Sequence, residues 1–275
     1  MGGSWMRAGA SAHGRLLEHR RTYIALRRLA LVRRQLIRKP HEDDFRLFRT
    51  LPAQHGLFLD VGANTGTSAL AFRLFNRRSP ILSIEPNPLN APELRMVRRM
   101  LRGFDYRLCA AGDERGLLTL HTPVYNGVPL TPEASLSRDD VLARLPSLRE
   151  ELGIGGRREI EVVETQVPVQ PLDDLGLAPD FIKVDVQGWE VSVLRGLQAT
   201  IRRHRPLVMV EKGANVAEVV ELMAAHGYGS HSWDNGGNRL VAPHDPACLN
   251  VVFLPSGWTS SSASGPPKQA PRPRS

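Results

Sequence analysis

The sequence specifies an α/β protein: a Rossmann-like, mostly parallel seven-stranded sheet with helices on both faces. Three observations carry that expectation. Short apolar runs alternate with helix-period stretches from residue 57 to residue 226, the alternation that builds a covered parallel sheet. The first run enters its helix through a turn containing Gly62 and Gly66, and the second run ends in an acid followed by proline, Glu85-Pro86.

The elements follow in order. Leu57 to Val61 is a continuous apolar strand broken only by Asp60, and Thr67 to Phe75 is the helix after it. Ile81 to Glu85 is the second strand, Pro92 to Leu101 the second helix, and Phe104 to Ala110 the third strand. Simple alternation then stops. Leu117 to His121 and Ile160 to Val169 have strand patterns and flank a polar stretch, an insertion between the third and fourth strands. Alternation resumes with strand Phe181 to Asp185, a single helix Trp189 to His204, strand Leu207 to Glu211 and helix Asn215 to His226. Two late strands, near Tyr228 to Trp233 and Leu249 to Leu254, complete the sheet.

Composition narrows the function classes. At 275 residues and 41% hydrophobic, the chain can bury a core of its own,. No apolar run approaches the ~18 residues of a membrane span. Two cysteines, Cys109 and Cys248, cannot make a disulfide framework or a cysteine zinc site,. These features predict a soluble protein of the cytoplasm. The net charge of +8 is concentrated rather than spread: residues 1–40 hold ten of the 36 Lys and Arg and one of the 28 acids, so the remainder is close to neutral. The expected organisation is a basic helical arm over 1–50, a ligand-binding domain over 51–255, and a disordered Ser/Pro/Gly-rich tail over 256–275,.

The turn Asp60-Val61-Gly62-Ala63-Asn64-Thr65-Gly66 is the first chemical signal. Glycines let the main chain approach a ligand, and the helix beyond offers unpaired N–H groups and a positive dipole end. The spacing is G-x-x-x-G, which fits neither the dinucleotide fingerprint nor a Walker loop. It resembles motif I of class I S-adenosylmethionine-dependent methyltransferases, which would put Asp60, Gly62, Ala63, Asn64 and Gly66 around that cofactor. Glu85, at the second strand tip, is placed to accept hydrogen bonds from a ribose diol, with Pro86 and Pro88 turning the chain so that its carboxylate projects. After the third strand, the small residue Ala110 leaves room for an adenine, and Asp113 is within reach of its amino group.

Phe181-Ile182-Lys183-Val184-Asp185-Val186-Gln187-Gly188-Trp189-Glu190 is the second signal, with four polar or charged side chains around one strand end; buried charges persist where they are paired or used. Taken with Asp60 to Gly66, Glu85-Pro86, Leu172-Asp173, Val193-Leu194-Arg195-Gly196 and Glu211, the chain resembles the FkbM family of methyltransferases. That resemblance covers residues 58 to about 211. It implies a class I methyltransferase fold and S-adenosylmethionine as cofactor. It also implies transfer to a hydroxyl of a sugar, glycolipid or other natural product. On the family pattern, Asp185 lies where the fourth strand meets the methyl group and is the first candidate for the base or acceptor-orienting group. Asp185 also borders the cofactor, and Glu211 is the second catalytic candidate. Lys183 is expected to pair internally with Asp185 or another acid. The family commonly has glutamate where this chain has Gln187. A divalent metal on Asp185, Glu211 and Asp234 is an option that oxygen ligands allow, although the spacing does not establish it. His121, His204, His226, His231 and His244 form no ligand-like pair.

Two other functions compete. A non-catalytic cofactor-binding or scaffold protein of the same fold is suggested by Gln187. RNA methylation is suggested by the basic arm, but the segment after the fourth strand lacks a [DNS]-P-P-[YF] loop and the arginines have no stacking platform, so nucleic acid is not the expected partner. The arm itself reads as an accessory packing helix, as a peripheral contact with an anionic membrane, or as a transit peptide.

Overall fold

The computed structural model describes residue 14 and residues 16–50, 56–154 and 158–258. Most of the expected 256–275 tail, and the arm before residue 16 apart from residue 14, lie outside the described residues. The chain divides into two compact units, one of Arg38–Gly116 with Pro168–Ser275, the other of Met1–Ile37 with Leu117–Val167. Residues 117–167, expected within the 51–255 domain, therefore share a unit with the N-terminal arm.

The larger unit is built on strands β1 (Leu57–Val61), β2 (Ile81–Glu85), β3 (Phe104–Leu108), β8 (Pro179–Val184), β9 (Leu207–Glu211), β10 (Tyr228–Asp234), β11 (Arg239–Val241) and β12 (Asn250–Pro255). Their order is β11-β10-β12-β9-β8-β1-β2-β3. The five strands from β9 to β3 are parallel, and β12 runs antiparallel between β9 and β10. The sheet has eight strands, not seven, because the turn after β10 returns as the short hairpin strand β11. Each parallel crossover carries helix: α2 (Thr67–Phe75) joins β1 to β2, α3 (Ala91–Met100) joins β2 to β3, and α5 (Glu190–Arg195) with α6 (Gln198–His204) joins β8 to β9. Helix α7 (Val216–Ala225) follows β9.

Two departures have local causes. The helix expected over 189–204 is two helices, broken at Gly196-Leu197. A Cβ at Gly196 would sit 1.9 Å from the Gly112 carbonyl oxygen, so the main chain passes too close for a side chain. The second helix is then capped from a distance: both Asp173 carboxylate oxygens accept backbone N–H groups, of Ala199 and Thr200, at 2.8 Å. The third expected strand is also interrupted, as β3 to Leu108 and β4 (Ala110–Ala111), which pairs in parallel with Val169 and Gln170.

A cluster of aromatic rings fixes the segment before β1. The 3-10 helix Asp43–Arg49 buries Phe45, Leu47 and Phe48, and Phe48 lies 4.9 to 5.8 Å from the rings of Phe72, Phe181 and Phe58. Each such pair adds about 0.5–1.5 kcal/mol to area burial. This anchor holds His41, Glu42 and Asp44 at a defined place.

In the smaller unit, β5 (Gly116–Tyr125), β6 (Val128–Pro129), β7 (Ile160–Gln170), α1 (Arg20–Leu36) and α4 (Arg138–Leu152) are the main elements. Its core contains Leu17, Tyr125, Val128, Leu130, Leu148, Ile154 and Ile160, with Tyr23 packed against it. The polar stretch expected as an insertion thus contains a 15-residue helix. Ser137 caps its start by accepting the Asp140 N–H at 3.1 Å, and Gly153 ends it in the left-handed conformation. Pro146 within the helix and its sparse buried face, Val141 and Leu148, hid the helical period from the sequence.

Candidate functional site

Strand register assembles the site at the carboxyl ends of the parallel strands. Asp60 pairs with Ser83 on one side and Lys183 on the other, and Lys183 with Met209. Residues in register share a face of the sheet, so three polar side chains lie side by side in an apolar core. Asp60 is fully buried; its Oδ2 accepts the Ser83 hydroxyl at 2.8 Å, while its Oδ1 is buried without a hydrogen-bond partner. Burial pushes the Asp60 carboxyl up to about 6, against the nearby charge of Lys183 and the Ser83 bond.

Beyond Val61 the chain turns at Gly62, whose φ is +84° and whose missing Cβ would lie 1.7 Å from the Asp185 carbonyl oxygen. No larger residue fits there. Gly62 and Ala63 both donate N–H to the Ile84 carbonyl, at 2.9 and 3.2 Å. Asn64 takes a left-handed φ of 47°. No side chain caps α2, whose first turn follows the left-handed Gly66, so the expected dipole end is present.

Glu85 differs from expectation. Its carboxylate does not project but is 4% exposed, accepting the N–H groups of Asn64 and Asn87 at 2.7 and 2.8 Å and the Asn90 amide at 3.1 Å. The Pro86–Asn90 turn wraps donors around it and ties it to the glycine loop. Burial pushes this carboxyl up to about 7 despite those bonds. About four acceptor positions exist on a carboxylate, so one remains. Pro86 itself is half-buried.

The expected adenine side also changes. Ala110 is buried and pairs with Val169 of β7, so its small side chain lies beneath the surface rather than at an open edge. An open groove of about 470 Å³ lies nearby instead, along Cys109 and Gln170 between Arg107 and Arg115. Asp113 is exposed and accepts the Ser192 hydroxyl at 2.7 Å. A Cβ on Gly112 would lie 3.5 Å from the Trp189 ring nitrogen, which places that half-exposed indole beside the turn. Trp189 and Ser192 were missed as site residues because they follow the fourth strand rather than the third.

The end of β8 carries the acidic pair. Lys183 is fully buried; its ammonium donates to Asp185 Oδ2 at 2.8 Å and lies 3.8 Å from Glu42 Oε1. The expected internal pairing is therefore present. Gln187, with a left-handed φ of 53°, donates its amide to Asp185 Oδ1 at 3.1 Å and to Glu211 Oε2 at 2.8 Å. The neighbouring Asp185 carboxyl, followed by burial, pushes Glu211 up to about 8. Burial works against ionisation of Asp185, but the bonds from Glu211, Lys183 and Gln187 hold it below the usual aspartate range. The opposite shifts leave one proton shared by the pair at neutral pH, favoured on Glu211,.

Other family-pattern residues close the loop rather than face a ligand. Glu190, 1% exposed, accepts the Gly188 N–H and the Asn215 amide, both at 2.9 Å. Asp173 is the distant cap of α6 described above.

The segment before β1 adds groups that the strand-by-strand reading missed. His41 Nε2 lies 2.6 Å from Glu42 Oε1, and the Asn250 amide donates to Glu42 at 2.9 Å and Asp44 at 3.0 Å. Burial tends to raise Glu42, but the His41 bond and the Lys183 charge hold it low; Asp44 is raised by burial. No motif marks them; only their position ahead of the buried run Phe45 to Phe48 could have drawn attention.

The metal set does not assemble. Asp234 turns its Oδ1 to the N–H groups of Gly236 and Gly237 at 2.9 and 3.1 Å, and Asp185 already faces Lys183 and Gln187. Among the described residues, no three His, Cys, Asp or Glu side chains are grouped to hold a metal ion. Nor, among the described residues, is any helix long and apolar enough to cross a membrane.

The family model described as "Methyltransferase FkbM domain" matches residues 60–229. "Methyltransferase 1" of Beauveria bassiana (strain ARSEF 2860) is 31% identical over 147 residues, which are 50% of this chain. The chain spans little more than half, 57%, of that relative's length. Among solved structures, Methyltransferase FkbM from Methylobacillus flagellatus KT is similar with a TM-score of 0.46 at 18% identity, over 72% of this chain and 43% of that one. Aeropyrum pernix fibrillarin, solved with natively bound S-adenosyl-L-methionine, is similar with a TM-score of 0.38 at 14% identity, over 74% of this chain and 68% of that one.

Proposed function

The chain belongs to the FkbM methyltransferase family, and from that membership and its site we propose that it transfers the methyl group of S-adenosylmethionine to a hydroxyl of a sugar, glycolipid or other natural product. The observation that carries the reading is the buried, unpartnered Asp60 Oδ1 beside the glycine turn. An orphaned carboxylate oxygen costs free energy in an apolar core unless a ligand donor or cation reaches it. The cofactor's ammonium supplies both, and the uncapped start of α2 suits its carboxylate. Asp60, Gly62, Ala63, Asn64 and Gly66 would hold the cofactor's amino-acid end. Glu85 would offer its remaining acceptor position to the ribose, with Pro86 shaping that turn, and Asp113 with Ala110 would border the adenine.

The bound sulfonium supplies an already activated methyl group. What the chain must add is alignment and a destination for the acceptor's proton. Asp185, held ionised by Lys183 and Gln187, accepts and orients the acceptor hydroxyl. The Asp185–Glu211 pair would take up the hydroxyl proton as the methyl group is transferred, and Glu211 would return a proton to water. Asp185 and Glu211 are the catalytic residues in this reading. The reading needs no metal.

Calorimetric titration of the folded protein with S-adenosylmethionine and S-adenosylhomocysteine tests it, alongside Asp60→Ala and Glu85→Ala. Saturable binding that both variants lose is expected. A folded wild-type protein that binds neither ligand would remove the basis of the proposal. A second reading, cofactor binding without turnover, is favoured by Gln187 at the position where glutamate is usual. It predicts the same titration but no methyl transfer to any hydroxylated sugar or lipid.

A further inference from the structure

Helix α1 turns its apolar side outward. At 100° per residue, Ala25, Leu26, Leu29, Ala30, Leu36 and Ile37 share one arc of the wheel. The exposures are 43% for Leu26, 60% for Leu29, 78% for Leu36 and 53% for Ile37. The opposite arc is the one covered: Leu31 is 5% exposed, and Ile24, Arg27 and Arg28 are half-buried. The apolar arc is thus not the packing face. Single exposed leucines are ordinary; four on one face of one helix are a surface in want of a partner.

Charge selects among partners. Within Arg20–Leu36 there is no Asp or Glu. Arg20, Arg21, Arg33, Arg38 and Lys39 are all exposed, Arg33 on the apolar arc itself. Two copies of this face would bring Arg33 against a second basic surface with no acid in the helix to pair with it, which disfavours self-association,. A nucleic acid would meet the arginines but gain nothing from the leucines, and Tyr23, the helix's one aromatic ring, is packed on the core of its own unit,. An anionic lipid surface uses both features. Its headgroups meet the cations while the leucines enter the boundary of the acyl chains.

We propose that α1 is an interfacial helix that docks this protein on membranes carrying anionic lipid, lying in the plane of the surface. Seventeen residues of helix give a footprint of about 25 Å. The claim is independent of the methyl-transfer reading, since it concerns a different unit and a different ligand.

The test is co-sedimentation of the full chain with phosphatidylcholine–phosphatidylserine vesicles and with pure phosphatidylcholine vesicles. Binding to the mixed vesicles, weakened by added salt and largely absent from the neutral ones, is the expected result. Leu29→Gln with Leu36→Gln should lower the partition about ten-fold or more, since each leucine withdrawn from water shifts an equilibrium on that scale. Arg21→Gln with Arg33→Gln should lower it on anionic vesicles alone. All four side chains are exposed, so thermal melting of the variants should match the parent and separate lost docking from lost fold. Equal sedimentation with both vesicles, none with either, or leucine variants that bind like the parent would overturn the proposal. So would light scattering that shows a dimer dispersed by the leucine substitutions.

Discussion

Replacing Glu211 with glutamine isolates the proton that the acidic pair holds. In the folded protein this carboxyl is pushed up to about 8, from an ordinary value of 4.5. Between those two values the native state carries a proton that the unfolded chain has released. Native stability therefore falls as pH rises across that window and levels off above it. The whole shift would amount to nearly 5 kcal/mol if the site were dry. Glu211 is only half-buried, so solvent screening reduces the expected penalty to about 2 kcal/mol. A glutamine carboxamide imitates the protonated acid: its oxygen can accept from Gln187 and its amide can donate to Asp185. The variant should therefore match the parent near pH ~5 and outlast it above pH ~8. For a chain of this size the gap at high pH corresponds to roughly 4–8 °C in Tm. Thermal unfolding of both proteins across that range reads the difference directly. A gap that does not change with pH, or a variant that is the less stable of the two at high pH, would refute the assignment of the proton to Glu211.

Two further outcomes follow from the same geometry. Lys183→Met leaves Asp185 and Glu42 without the buried ammonium that lies 2.8 and 3.8 Å from them. It should cost about 3–5 kcal/mol in urea unfolding at neutral pH, and a loss below ~1 kcal/mol would show that solvent already compensates those acids. Asp173→Ala removes both long-range caps of α6; a loss of about 1–2 kcal/mol with cofactor titration unchanged is expected, whereas weakened binding at intact stability would place Asp173 in the site instead.

The sequence alone determined the alternation of strands and helices, the glycine turn after the first strand, and the polar end of the fourth. These are local properties: periodicity, backbone freedom at Gly62, and the cost of burying Lys183 without a partner. What only the tertiary structure decided is which groups meet. Glu85 looked like a projecting acid because its neighbours are prolines, yet three donors from 64, 87 and 90 fold over it. His41, Glu42 and Asp44 carry no motif; they reach the site because Phe45 and Phe48 seat themselves among rings from three other elements. The helix expected from 189 to 204 breaks where the Gly112 carbonyl approaches Gly196, a contact 84 residues apart in the chain. The outward face of α1 was decided in the same way: an amphipathic period tells which residues lie together, but only packing determines which side is left for a partner.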